Sequence, residues 1–78
     1  MAQFYLHIRD GETRLEDIDG IDVPDLDLAI EEAAMAAREL LAELVSAGHI
    51  IGNRSFEICS EDGSLLAVVL FSQELRMA

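Results

Sequence analysis

The sequence predicts an α+β fold in two layers: an antiparallel sheet of two β-hairpins with one long amphipathic helix on one face, in the order ββαββ. Three observations carry that prediction. Apolar and polar residues alternate near both ends of the chain, turn residues follow each alternating stretch, and the middle is one long run with a helical apolar stripe.

From Gln3 to Arg9 the chain alternates, with Phe4, Leu6 and Ile8 pointing one way and Tyr5, His7 and Arg9 the other. That is the pattern of a half-buried strand. Asp10-Gly11 suits the positive φ of a tight turn, so residues 13–16 return as a short second strand. Residues 17–27 read as a connecting loop, in which Gly20 permits a bend and Pro24 disfavours helical conformation at Val23. Ile21 and Val23 are expected to tuck under the core.

The helix is expected over residues 26–47, with Asp25 as N-cap and Gly48 as the left-handed residue that ends it. On a helical wheel Leu26, Ile30, Ala33, Ala37, Leu40, Leu41 and Leu44 share one face, and Asp27, Glu31, Glu32, Arg38, Glu39 and Glu43 share the other. Residues 55–60 alternate again as a third strand. Glu61-Asp62-Gly63-Ser64 supplies a turn, and the aliphatic run 65–71 forms a fourth strand, leaving 72–78 as a loose tail. The chain reads as a single domain, 1–78, with an ordered core over about 3–71.

If one sheet face covers the helix, alternation assigns Phe4, Leu6, Ile8, Phe56, Ile58, Ala67, Val69 and Phe71 to it. The other face then carries Tyr5, His7, Glu57, Cys59, Leu66, Val68 and Leu70. With one helix there is nothing in the chain to cover that second face, and its aliphatic residues make an exposed patch of a kind monomers avoid.

Composition narrows the function. Half the residues are hydrophobic (51%) and there is one proline, too apolar and regular for a disordered chain despite a net charge of -11. A domain of 78 residues buries only roughly 60 to 65% of its unfolded surface, so self-association would strengthen it. Sixteen acids stand against five arginines and no lysine, a balance that repels phosphate backbones and anionic membranes. Nucleic acid is therefore not an expected partner. The longest apolar run is seven residues, against the roughly 20 needed for a membrane-spanning helix. Cys59 stands alone and the first residues lack a signal-peptide pattern, so the cytoplasm is the expected compartment.

The segment Phe4-Tyr5-Leu6-His7-Ile8-Arg9-Asp10-Gly11 has a specific look. With it go Gly20-Ile21-Asp22-Val23-Pro24-Asp25-Leu26-Asp27, the Ala-Arg-Glu-Leu-Leu stretch at 37–41, and Phe56-Glu57-Ile58 before Glu61-Asp62-Gly63. In these stretches the chain resembles a family of small proteins from rhizobia and related soil bacteria, grouped as a domain of unknown function. The resemblance spans about residues 3–71. It implies the same small α+β unit and brings no activity, ligand or catalytic residue. Members often have Thr and Pro where this chain has Val68 and Leu70, so the resemblance implies an unusually apolar outer face here.

Candidate chemistry is sparse. Eight carboxylates lie between Asp10 and Asp27, enough oxygens for calcium. The register fails: with Gly20 as the fixed loop glycine of an EF-hand, Leu15 and Leu26 occupy ligand positions. A solvated loop and helix cap account for the acids. His7, beside Tyr5 and opposite Glu57 or Cys59, has the residue type for acid-base work, and His49 sits where a helix C-terminus favours a cation. Neither has a second ligand at metal-site spacing. Cys59 has acidic neighbours, Glu57 and Glu61, which disfavour a thiolate. Leu28, Met35 and Ala42 recur every seventh residue on the helix's outer side, a weak second seam. No phosphate loop, nucleophile elbow or zinc spacing is present, and a domain of this size is expected to lack a pocket of ligand size.

The expectation is thus a non-enzymatic interaction module without cofactor, metal or small-molecule substrate. It is expected to self-associate as a homodimer through Tyr5, His7, Glu57, Leu66, Val68 and Leu70. The alternative is an antitoxin-like regulator whose acidic surface binds a basic partner, a layout loosely like HicB-type antitoxins.

Overall fold

The computed structural model describes residues 2–48 and 52–74. Among them the chain forms strands β1 (Ala2–Asp10), β2 (Thr13–Leu15) and β3 (Ile21–Val23), helix α1 (Leu26–Ser46), strands β4 (Ser55–Ser60) and β5 (Leu65–Leu70), and a 3-10 helix, Phe71–Glu74. All pairings are antiparallel. The sheet runs β2-β1-β4-β5, with β3 also on β1.

The first hairpin forms as the turn chemistry requires. Arg9 lies opposite Arg14 and Asp10 opposite Thr13, leaving Gly11 and Glu12 as the connection. Of the two only Gly11 has positive φ, 63°, the demand that a type II′ connection places on its first central residue.

One expected loop segment is a strand. Residues Ile21–Val23 pair with Ala2–Phe4, so β2 and β3 lie end to end along one edge of β1, and residues 16–20 bridge between them. Three residues are too short to show a period in the sequence. What selects the strand is the free edge of β1 together with the half-burial of Ile21 and Val23 against the core. The order is therefore βββαββ, one short strand more than the two-hairpin reading.

The helix begins as expected. Asp25 is extended (φ -154°) and its carboxylate accepts the Leu28 N–H at 2.9 Å, a cap worth about 1 kcal/mol. At the other end Ala47 N–H donates to the Glu43 carbonyl at 3.0 Å, and Gly48 turns left-handed, φ 76°. Buried on the inner side are Ala29, Ala33, Ala37 and Leu41, a ridge of every fourth residue, with Leu26, Ile30 and Leu40 packed beside it. Small side chains along the ridge let the helix axis approach the sheet, and aromatic rings of the sheet fill the remaining space.

The core consists of that ridge with Phe4, Phe56, Ile58, Val69 and Phe71. The Phe56 and Phe71 rings lie 5.2 Å apart, tilted by 39°, within the favoured aromatic range. Alternation assigned these side chains to the correct face. Strand β5, however, ends at Leu70. Phe71 opens the 3-10 helix, its N–H donating to the Arg54 carbonyl at 3.0 Å, and Glu74 pairs with Arg38 of α1 at 3.1 Å. The expected tail at 72–78 is thus structured as far as Glu74, and residues 75–78 lie outside the described ones. No helix among the described residues is long and apolar enough to cross a membrane.

Candidate functional site

The outer sheet face divides into a polar half and an apolar half. Cross-strand register places Tyr5 opposite Cys59, His7 opposite Glu57 and Arg9 opposite Ser55. Beyond them on β5, Val68 faces Glu57, Leu70 faces Ser55 and Leu65 faces Cys59.

On the polar half, Arg9 and Arg14 are like charges directly opposite one another, which by itself disfavours the hairpin. Glu57 resolves the conflict. Arg9 binds it through Nε and Nη2, at 3.1 and 3.3 Å, and Arg14 Nη1 lies 3.8 Å from the same carboxylate. A planar guanidinium fits a carboxylate in this two-bond manner.

His7 is 6% exposed. Its Nδ1 accepts the Asp17 backbone N–H at 2.9 Å and lies 3.3 Å from Glu16 Oε2, while its ring stacks on Tyr5 at 6.2 Å. Asp17 ties down the same crossing, its carboxylate accepting the Leu6 N–H at 3.0 Å and the Gly20 N–H at 3.1 Å. The supposed solvated loop is therefore a cover laid over His7. His7 and Glu57 share a face with Tyr5, Val68 and Leu70, as alternation implied, but both are engaged within the chain.

The apolar half is β5. Leu65, Leu66, Val68 and Leu70 are 57, 41, 48 and 40% exposed. Leu66, Val68 and Leu70 were expected on this face; Leu65 was not. The register shifts between Ile58 and Cys59, so Leu66 becomes an extra residue and Leu65, which alternation would send toward the helix, falls opposite Cys59. A bulge of this kind leaves no local sequence signal. Among the described residues strand β5 is also an edge of the sheet, with one row of its backbone N–H and C=O groups facing no partner strand.

The remaining candidates are placed as follows. Cys59 is a free thiol, 2% exposed. Leu28 and Met35 are exposed on the outer side of α1. His49 lies outside the described residues. Among the described residues no three His, Cys, Asp or Glu side chains converge as a metal site would require.

The expected shortage of cavity space is corrected by a cleft of about 540 Å³ between the β1–β2 hairpin and the C-terminal end of α1. Ile8, Leu15, Leu40, Leu44 and Phe71 line it, and the ion pair of Asp10 with Arg54, 3.3 Å, sits at its border. Its walls are mostly apolar, with Asp10, Thr13, Glu43 and Arg54 also among the lining residues.

The sequence matches a family model over residues 3–72, described as a domain of unknown function (DUF6894). No curated protein and no solved structure matches the chain.

Proposed function

The chain belongs to the DUF6894 family, a domain of unknown function, and from its geometry we propose that it is a non-enzymatic interaction module whose partner is a second copy bound along β5. The observation that carries this is the edge strand itself. Residues Leu65–Leu70 form an edge with no charged residue and no proline, whereas proteins ordinarily protect an exposed edge with one or the other.

Charge favours a second copy as the occupant. A net charge of -11 makes two copies repel wherever acidic surfaces meet. Along β5 there is no charge to repel, and an antiparallel pair about a two-fold axis needs only one strand, used twice. Leu66, Val68 and Leu70 of each copy would then pack on the outer face, extending the sheet across both. Tyr5 lies at the margin of this contact, and His7 and Glu57 support the strands beneath it. The Thr and Pro that the resemblance implies at 68 and 70 would oppose such pairing, so the proposal concerns this chain rather than every member.

The finer parts of the family resemblance also belong to the proposal. Each fixed residue of the opening Phe-x-x-His-x-Arg-Asp-Gly has a task here: Phe4 is core, His7 holds the cover, Arg9 binds Glu57, and Asp10-Gly11 enters the turn. We take the motif, from the resemblance, as a signature of the rhizobial and soil-bacterial group, and propose the cytoplasm as the compartment, in keeping with the free thiol of Cys59.

Sedimentation equilibrium across a concentration series tests the module. Wild-type protein is expected to be dimeric at high micromolar concentration and Val68→Lys monomeric, with unchanged far-UV circular dichroism. A wild-type monomer at that concentration overturns the proposal. An antitoxin-like role would use the acidic outer side of α1 instead, with Glu31, Glu32, Glu39 and Glu43. Capture of one basic protein by the Val68→Lys variant and its loss on neutralising those acids would favour that role.

A further inference from the structure

Two groups compete for one atom of His7. A backbone amide only donates, so the 2.9 Å contact from the Asp17 N–H to His7 Nδ1 makes Nδ1 an acceptor and the ring neutral, with its proton on Nε2. The Glu16 carboxylate, 3.3 Å from the same Nδ1, only accepts. It gains nothing from an unprotonated Nδ1, and becomes a partner when that nitrogen carries hydrogen. The two contacts are thus alternatives, chosen by the protonation of a ring that is 6% exposed.

We propose that His7 is a pH-operated latch on the segment joining β2 to β3: the neutral ring holds Asp17, and the protonated ring exchanges Asp17 for Glu16. The inference is independent of self-association.

The groups around the ring fit both states. From β1 come Tyr5, stacked on it, and Arg9; from β2, Arg14; from the connection, Glu16 and Asp17; and from β4, Glu57 and Cys59. Arg9 and Arg14 are already bound to Glu57, and Arg14 Nε also holds the other Glu16 oxygen at 3.3 Å. A cation on His7 therefore meets a carboxylate already positioned beside Nδ1.

Losing the Asp17 N–H contact matters beyond one hydrogen bond. The Asp17 carboxylate holds Leu6 and Gly20, and Gly20 leads directly into the pairing of Ile21 with Phe4. Gly20 is itself wedged in, since a Cβ there would come within 2.6 Å of Gln3 Nε2 and 2.8 Å of the Phe4 carbonyl. Release of Asp17 loosens the crossing at 16–20 and the start of β3, leaving the β1–β4 ladder intact.

Amide exchange by NMR tests the latch, read against each amide's intrinsic rate at about pH 7.5 and about pH 5, which span imidazole ionisation. Protection of Asp17 is expected to fall by up to about tenfold, the worth of one hydrogen bond, in step with the His7 ring signals. Leu6 and Gly20 are expected to follow, while Ile58 stays constant. His7→Asn keeps an acceptor near the Nδ1 position and cannot take up the proton, so its Asp17 amide should be indifferent to pH. Two results overturn the latch: His7 titrating in the wild type while the Asp17 amide is unaffected, or His7→Asn losing protection as the wild type does. Should His7→Asn fail to fold, the wild-type comparison alone decides.

Discussion

At the scale of single residues, the β4–β5 turn shows how one exposed carboxylate can organise a connection. Asp62 accepts from the Ser60 hydroxyl and, at 2.9 Å, from the Ser64 backbone N–H. These hydrogen bonds, the Ser60 one foremost, hold its carboxyl down from 3.8 to about 2. A carboxyl lowered by folding stabilises the fold wherever it is ionised. Its contribution is complete above 3.8 and disappears as pH falls through about 2. The wild type should therefore lose stability to acid more steeply than Asp62→Asn across that window, read as urea midpoints at matched pH; parallel curves would show the contacts to be without energetic effect. Asp62 was legible as turn chemistry from its Glu-Asp-Gly-Ser setting. The role of Asp17 was not, because its partners Leu6 and His7 are ten or more residues away in sequence.

At the scale of elements, α1 is the part most nearly written in the sequence. A cap, a stripe and a left-handed glycine are local signals, and all three stand where they were expected: Asp25, the face containing Ala33 and Ala37, and Gly48. Ala29 escaped the stripe yet is fully buried, since burial depends on how closely the sheet approaches. That closeness has a consequence. Ala33 has no exposed surface, so Ala33→Leu should force helix and sheet apart and destabilise by about 1–3 kcal/mol, whereas Met35→Leu on the exposed side should stay within about 0.5 kcal/mol. Urea melts of the two variants measure the contrast; equal effects would mean that the ridge tolerates larger side chains. The strands were less legible. Alternation identified β1, β4 and β5, but β3 has too few residues to display a period, and the bulge that turns Leu65 outward arises from its pairing with Cys59.

At the scale of the whole molecule, charge is the dominant feature. The chain carries -11, and several acids are held by local partners: Asp10 by Arg54, Glu57 by Arg9, Glu74 by Arg38, and Asp25 by the helix terminus. The surface as a whole remains strongly acidic and its charges repel, so stability at neutral pH should rise as salt increases from a few millimolar to about 0.15 M, where screening acts over about 8 Å. Thermal or urea melts in a salt series check this. Falling stability would mean that the ion pairs outweigh the repulsion. The same charge, with the uncharged β5 edge, underlies the proposed association along one strand. By itself the sequence determined the class of fold, the helix with its ends, which face of each alternating strand meets the core, and the acidity of the surface, because each depends on periods and residue chemistry within a few positions. Only the tertiary structure decided the order β2-β1-β4-β5, the third strand on β1, the burial of His7 beneath residues 16–20, the cleft beside Leu40 and Leu44, and the outward turn of Leu65. Those depend on which distant segment satisfies a free edge or a buried polar atom, a choice made between partners brought together by folding and carried by no local pattern.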